Sequence, residues 1–269
     1  MQLVDTHCHI QSIGQKTGER HTQELWAKAK ISVEDVITRA KEGGVDKLIC
    51  VGCDFEDSLL AIDFVSEHTN TWASIGIHPH EARAFVANIS QQSEFAALAT
   101  RKKVVAIGEC GLDYFYEHSP KKDQIEVLKL QLELALSNNL PVIFHVREAF
   151  SDFWPVLDNY PGIRGVLHSF TDNLANLEEG LKRGLMFGVN GIATFAKKPE
   201  QVEVYKAIPL SNLLLETDSP FLTPVPFRGN INEPNMVGVI AKYMAELRNE
   251  DIRDLATATT ANATKIFGV

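Results

Sequence analysis

Short runs of apolar and β-branched residues recur at positions 2–4, 47–51, 72–77, 104–107, 141–144, 164–167, 185–189 and 213–215, and each reads as a buried strand. The segments between them, 32–41, 57–68, 92–101, 120–138, 148–159, 173–183, 198–206 and 235–247, have helical period or composition. Ser32 three residues before Asp35 predicts a capping box, and Gly43-Gly44 predicts the stop after Lys41. In 120–138, Ile125, Leu128, Leu132, Ala135 and Leu136 form an apolar stripe expected to face a core. Lys121, Lys122, Glu126, Lys129 and Glu133 supply the outer positions, and Pro120 suits the first turn. Strands alternating with helices of this length imply parallel βαβ units, and eight of them predict a (β/α)8 TIM barrel, with a doubly wound open sheet as the alternative. Residues 248–269 read as a last helix pair packed on the outside of the barrel. With no linker, repeat or low-complexity segment, one domain spanning 1–269 is expected.

Composition narrows the class. A chain of 269 residues, 45% hydrophobic and 23% charged, has the length and balance of an α/β barrel, for which about 250 residues is common. No apolar stretch approaches the roughly 18 residues of a membrane span, and Met1-Gln2-Leu3-Val4-Asp5 lacks the features of a signal peptide, so a cytoplasmic protein without membrane association is expected. Cys8, Cys50, Cys53 and Cys110 are too few for a disulfide framework. Cys50-Val51-Gly52-Cys53 has redox or zinc-site spacing, but no second pair follows it, which favours a structural role. The net charge of -9 argues against holding duplex nucleic acid on a broad basic surface. Divalent cations in a pocket would supply positive charge absent from that count, so a phosphodiester substrate stays open.

The candidate chemistry lies at the strand ends. His7 and His9, one residue apart, project to the same side of an extended segment and can share a cation. Glu109 follows the run 104–107 among glycines and could bridge two metals, His145 ends 141–144, and His168 ends 164–167. Asp218 follows 213–215 and could ligate a metal and take a proton from its water. A parallel barrel gathers such residues at the C-terminal rim of its strands. Asp113, His78 and His80 are expected to support the ligands or contact substrate. Glu216 is expected to face the other way in a structural role, and His21, His68 and His118 to be solvated.

The motifs Asp5-Thr6-His7-Cys8-His9, Gly76-Ile77-His78-Pro79-His80, Ile107-Gly108-Glu109-Cys110-Gly111-Leu112-Asp113-Tyr114, Phe144-His145-Val146-Arg147-Glu148-Ala149, Leu215-Glu216-Thr217-Asp218-Ser219-Pro220, Arg228-Gly229 and Asn232-Glu233-Pro234 occur in this order. Together they resemble the TatD family of metal-dependent deoxyribonucleases, within the wider amidohydrolase-like barrels, over nearly the whole chain. That resemblance implies one metal on His7, His9 and Asp218, a second on His145 and His168, and Glu109 between them. Asp218 would be the general base. Two such cations, Mg²⁺, Mn²⁺ or Zn²⁺, would polarise a phosphoryl oxygen, activate a water and stabilise the leaving oxygen. Arg147 and Arg228 would grip phosphate through their planar forks.

Three features depart from the pattern. Asn230-Ile231 stand where basic residues are usual, Ser169-Phe170-Thr171-Asp172 lacks a glycine, and the loop 10–30, with Lys16, Arg20 and His21, is long. The implied activity is 3′–5′ exonucleolytic cleavage of DNA, at single strands or 3′ ends, by a monomer. A metal-dependent ester or amide hydrolase, acting on a misacylated tRNA such as a D-aminoacyl-tRNA, a lactone or a cyclic amide, is the alternative favoured by the acidic surface. A metal-binding protein without catalysis is a third reading.

Overall fold

A computed structural model describes residues 2–18 and 20–269. The eight apolar runs become strands β1 (Leu3–Cys8), β2 (Val45–Val51), β3 (Thr71–Ile75), β4 (Val104–Asp113), β5 (Val142–Arg147), β6 (Gly165–Leu167), β7 (Met186–Val189) and β8 (Leu213–Leu215). All pair in parallel in the order β1 to β8, and a bridge between Cys8 and Ser219 brings the last strand's end back to the first. This is a nearly closed (β/α)8 barrel.

The helices are α1 (Arg20–Ala29), α2 (Val33–Glu42), α3 (Phe55–Glu67), α4 (Ala82–Ala87), α5 (Ile89–Leu98), α6 (Lys121–Asn138), α7 (Phe150–Leu157), α8 (Leu174–Lys182), α9 (Pro199–Ala207), α10 (Val237–Arg248) and α11 (Ile252–Phe267). Ser32 and Asp35 close the expected capping box on α2, and its C-cap is Gly43. The buried face of α6 is rotated from the predicted stripe. Val127, Leu128, Leu132 and Ala135 are buried with Gln124 and Gln131, whereas Leu136 is 40% exposed. The two glutamines explain the rotation. Gln131 donates to Ile77 O (3.0 Å) and accepts from Ile77 N (2.8 Å), and Gln124 makes the same clamp on Asp113, at 3.0 and 2.8 Å. Buried amides are stable there because both ends are satisfied by backbone.

Two expectations are corrected. The loop 10–30 contains α1, whose Trp26 is buried and donates its indole N–H to His9 O at 3.0 Å, so the insertion is tied to the rim. The C-terminal stretch holds one helix after α10 rather than a pair, and it does not merely coat the outside. Ala263, Ile266, Phe267 and Val269 join Val4, Ile49, Val51, Ala106, Ile143, Val166, Met186 and Leu214 in one apolar cluster drawn from the strands' inner faces. The end of α11 therefore plugs the barrel floor, at about 1.5–3 kcal/mol for each large side chain fully buried.

The β1–β8 seam carries little ladder. Asp218 N donates to His7 O and His9 N to Ser219 O, both at 2.8 Å, and Thr6 Oγ1 donates to Leu215 O at 3.0 Å. Buried Asp5 completes it, with Oδ1 accepting from Thr217 N (2.9 Å) and His7 N (3.2 Å) and Oδ2 meeting Thr217 Oγ1 at 2.5 Å. Closure of the barrel thus runs through the residues that sequence reading marks as ligands.

Candidate metal centre

His7 and His9 lie at the end of β1 with ring centroids 5.0 Å apart. His9 Nδ1 is 2.8 Å from Val51 O, and because a carbonyl only accepts, that nitrogen carries a proton and Nε2 is the one turned to the site. Nε2 lies 3.3 Å from Asp218 Oδ1. His7 is fully buried and stacked on His168 at 3.6 Å, and neither of its nitrogens has a hydrogen-bond partner. Its Nε2 is 3.3 Å from Glu109 Oε2 and 3.7 Å from Asp218 Oδ1.

Glu109 does not follow β4, as the apolar run suggests, but sits within it. The register against β5 shifts between Ile107 and Cys110, and Gly108 has φ +137°, where a Cβ would lie 2.4 Å from Ile143 O. Only glycine fits that close approach, which aims Glu109 at the histidines.

His168 Nε2 is 3.8 Å from both Glu109 Oε1 and Asp218 Oδ1. Its Nδ1 is 2.9 Å from Glu216 Oε1, off the line of the ring N–H, so the contact is an ion pair and not a hydrogen bond. Glu216 therefore faces the site, against expectation. Alternation from inward Leu214 puts residue 216 on the same side, and that count is the signal the sequence reading missed. Ser169 N (2.7 Å) and Asn190 Nδ2 (3.2 Å) donate to Glu216 Oε1, and Gly188 makes room, since a Cβ there would lie 2.2 Å from Oε2.

His145 is placed differently from the other candidate ligands. Its Nδ1 is 2.8 Å from Glu109 Oε1 and its Nε2 3.0 Å from Asp113 Oδ2, so both nitrogens are engaged by carboxylates. Asp113 is fully buried, also meets His80 Nε2 at 3.1 Å, and so orients histidines instead of facing substrate. His78 Nδ1 accepts from His80 N at 3.2 Å, and its Nε2 is 3.8 Å from Glu109 Oε1.

The electrostatics reflect carboxylates packed against imidazoles. Burial opposes charge on every member, yet the Asp218 hydrogen bond lifts His9 to about 9, Glu216 and Glu109 lift His168 to about 10, and Asp113 and Glu109 lift His145 to about 9. Burial and the neighbouring His168 lower His7 instead. Despite burial, His168, His145 and His7 hold Glu109 well below the usual carboxylate range, and His9 and His168 lower Asp218. The cluster calls for positive charge, and no Lys or Arg forms an ion pair with Glu109 or Asp218 among the described residues. Donor sets His7–Glu109–His168, His7–His9–Asp218 and His78–Glu109–His145 each fall within 4.8 Å. With orphaned His7 nitrogens in a buried pocket, these donors fit a divalent cation.

Farther out, the guanidinium of Arg147 lies over the rings of Phe115 (4.0 Å) and Tyr116 (4.6 Å), which are 50% and 52% exposed, and that of Arg228 over Phe195 (4.0 Å). Three histidines expected in solvent have ring partners: His21 stacks on Phe221, His68 on Phe64, and His118 on Tyr116. Ser169, at φ +48°, takes up the turn for which a glycine was expected.

A profile of the family described as TatD related DNase matches residues 4–268. The chain belongs to that family. Among similar proteins, an uncharacterized metal-dependent hydrolase YabD of Bacillus subtilis is 38% identical, with 99% of each chain covered. A 3′-5′ ssDNA/RNA exonuclease TatD of Erwinia amylovora is 35% identical over 88% of this chain and 93% of its own. The crystal structure of YjjV, a TatD homolog from Escherichia coli K12, superposes with a TM-score of 0.85 at 28% identity, covering 99% of this TatD-family chain and 98% of its own. This is a metal-dependent hydrolase of the TatD type, and no helix among the described residues is long and apolar enough to cross a membrane.

Proposed function

We propose that the chain is a 3′–5′ exonuclease that hydrolyses phosphodiester bonds of single-stranded DNA at this centre. The observation that carries the reading is the convergence of His7, His9, Glu109, His168 and Asp218 at one buried site in which both His7 nitrogens lack a hydrogen-bond partner. His7, His9 and Asp218 would hold one divalent cation, and His168 with His145 a second, Glu109 lying between. To serve as a ligand, His145 would have to release one of its two carboxylate contacts and lose the proton on that nitrogen to solvent. When bound, such cations polarise a phosphoryl oxygen, make water nucleophilic near neutral pH and balance charge on the leaving oxygen.

The chain's own residues do the rest. Val51 O fixes the ring plane of His9 by a hydrogen bond and Glu216 holds the Nδ1 side of His168 by charge, so each turns its Nε2 to the site. Asp218, with its side chain 15% exposed and Oδ1 3.3 Å from His9 Nε2, accepts the proton of the attacking water. The exposed rings of Phe115 and Tyr116, two and three residues past Asp113, suit stacking of unpaired bases, and Arg147 beside them supplies positive charge to the backbone. The name of the Erwinia relative supports the same class of substrate.

A second reading, hydrolysis of a carboxylic ester or amide, is favoured by the net charge of -9 and by exposed Asn230 in place of a basic residue. The deciding experiment is digestion of a 5′-labelled single-stranded oligonucleotide with Mg²⁺, Mn²⁺ or Zn²⁺ beside Asp218→Asn. Stepwise shortening by the parent and its loss in the variant supports the exonuclease. Turnover of an ester but not of DNA moves the assignment to the second reading.

A further inference from the structure

Cys53 closes the C-x-x-C whose spacing predicts a structural role, and Cys50 is fully buried. Cys53 is different. It follows β2 at the barrel rim, is half-buried, and points its Sγ to 4.0 Å from Glu109 Oε2, the same oxygen that faces the orphaned His7 Nε2 at 3.3 Å. His9, Cys53 and Glu109 offer three donor atoms within 4.8 Å of one another. The backbone holds the thiol in place, because Cys53 N donates to Asp57 Oδ2 at 3.0 Å and Cys53 O accepts from His78 N at 2.7 Å. Asp57 is itself buried and further held by Gln11 and Ser12.

From this geometry we infer that Cys53 is a thiolate ligand of the metal centre, adding a soft donor beside His9 and Glu109 and biasing this corner toward a thiophilic cation of the zinc class. The inference rests on the metal-centre reading and not on the choice of DNA as substrate. Carboxylate serves Mg²⁺, Mn²⁺ and Zn²⁺ and imidazole leans toward Zn²⁺, whereas thiolate discriminates strongly against the hard oxygen-seeking ions. Binding transfers the thiol proton to solvent and forms one metal–sulfur bond, with no change of oxidation state.

Cobalt(II) tests this without turnover. Chelator-treated full-length protein titrated with Co²⁺ should develop both visible d–d bands and a near-ultraviolet thiolate-to-cobalt charge-transfer band, and Cys53→Ser should keep the first and lose the second. Zn²⁺ affinity should fall by about tenfold or more in the variant while Mg²⁺ affinity holds, the scale being that of disturbing a metal-site partner. In the unmutated protein, Zn²⁺ but not Mg²⁺ should slow alkylation of Cys53 by iodoacetamide, a check that does not depend on the variant folding. Visible bands without the charge-transfer band, or a charge-transfer band that survives Cys53→Ser, overturns the assignment of Cys53 alone. Absence of both bands overturns the metal centre with it.

Discussion

Replacing an acid of the ligand-bearing strand should make this protein more stable at neutral pH. Burial pushes Asp5 up to about 8, although hydrogen bonds from Thr217 and His7 work against the shift, and Glu216 adds to it. An acid whose folded pKa exceeds its unfolded value of 3.8 takes up a proton on folding throughout the interval between them. Stability therefore falls as pH rises from about 4 to about 8 and is flat beyond. At about 1.4 kcal/mol per pH unit, the loss at pH 7 has a ceiling of about 4 kcal/mol, and relaxation around the ionised carboxylate brings it to about 2–4. Asp5→Asn has the shape of the protonated acid: its carbonyl can accept from Thr217 N and His7 N, and its amide can donate to Thr217 Oγ1. It has no proton to take up. For a chain of 269 residues, 1 kcal/mol corresponds to roughly 2 °C, so the variant should melt about 4–8 °C above the parent at pH 7. The assay is thermal unfolding of both chelator-treated proteins from pH 4 to 9, and the gap should close toward pH 4. A variant that melts below the parent by the same amount at every pH would refute the reasoning, because the seam would then depend on the negative charge of Asp5.

The same electrostatics give further expectations. His9, His145 and His168 are raised to about 9, 9 and 10, so the stabilisation from their carboxylate neighbours is complete below pH 6.5 and is lost as pH climbs to 9–10. Melting of metal-free protein should drop across that window, and added Mn²⁺ should flatten the drop. Glu216→Gln should weaken metal binding by about 10–100-fold in equilibrium dialysis with the barrel's circular dichroism unchanged. Phe115→Ala combined with Tyr116→Ala should raise KM for a single-stranded oligonucleotide by about tenfold while sparing an abasic deoxyribose phosphodiester strand of the same length, which has no base to stack.

The barrel was legible in the sequence because each strand is a short apolar run followed by a helical period, and that pattern leaves few topologies. The donors at the rim were legible because strand ends are their natural place. What escaped reading depended on side chains finding distant backbone. Gln124 and Gln131 look like solvent residues until their clamps on Asp113 and Ile77 are seen. Trp26 lies in a segment whose composition predicts a loop, and its hydrogen bond to His9 O joins residues 17 apart. The state of His145 was hidden for the same reason, since its two carboxylate neighbours both come from β4. Glu216 was a different case: the alternation that places it was present in the sequence and pointed inward.

The seam between β1 and β8 bears on synthesis as well as on catalysis. His7 and His9 are translated about 210 residues before the wall that faces them, so Asp5 has no Thr217 to hold, and His7 O no Asp218 N–H, until β8 and the residues after it have been made. The floor plug of α11 arrives later still. Barrel closure and completion of the pocket use the same contacts between β1 and the residues after β8, so neither can be undone without the other.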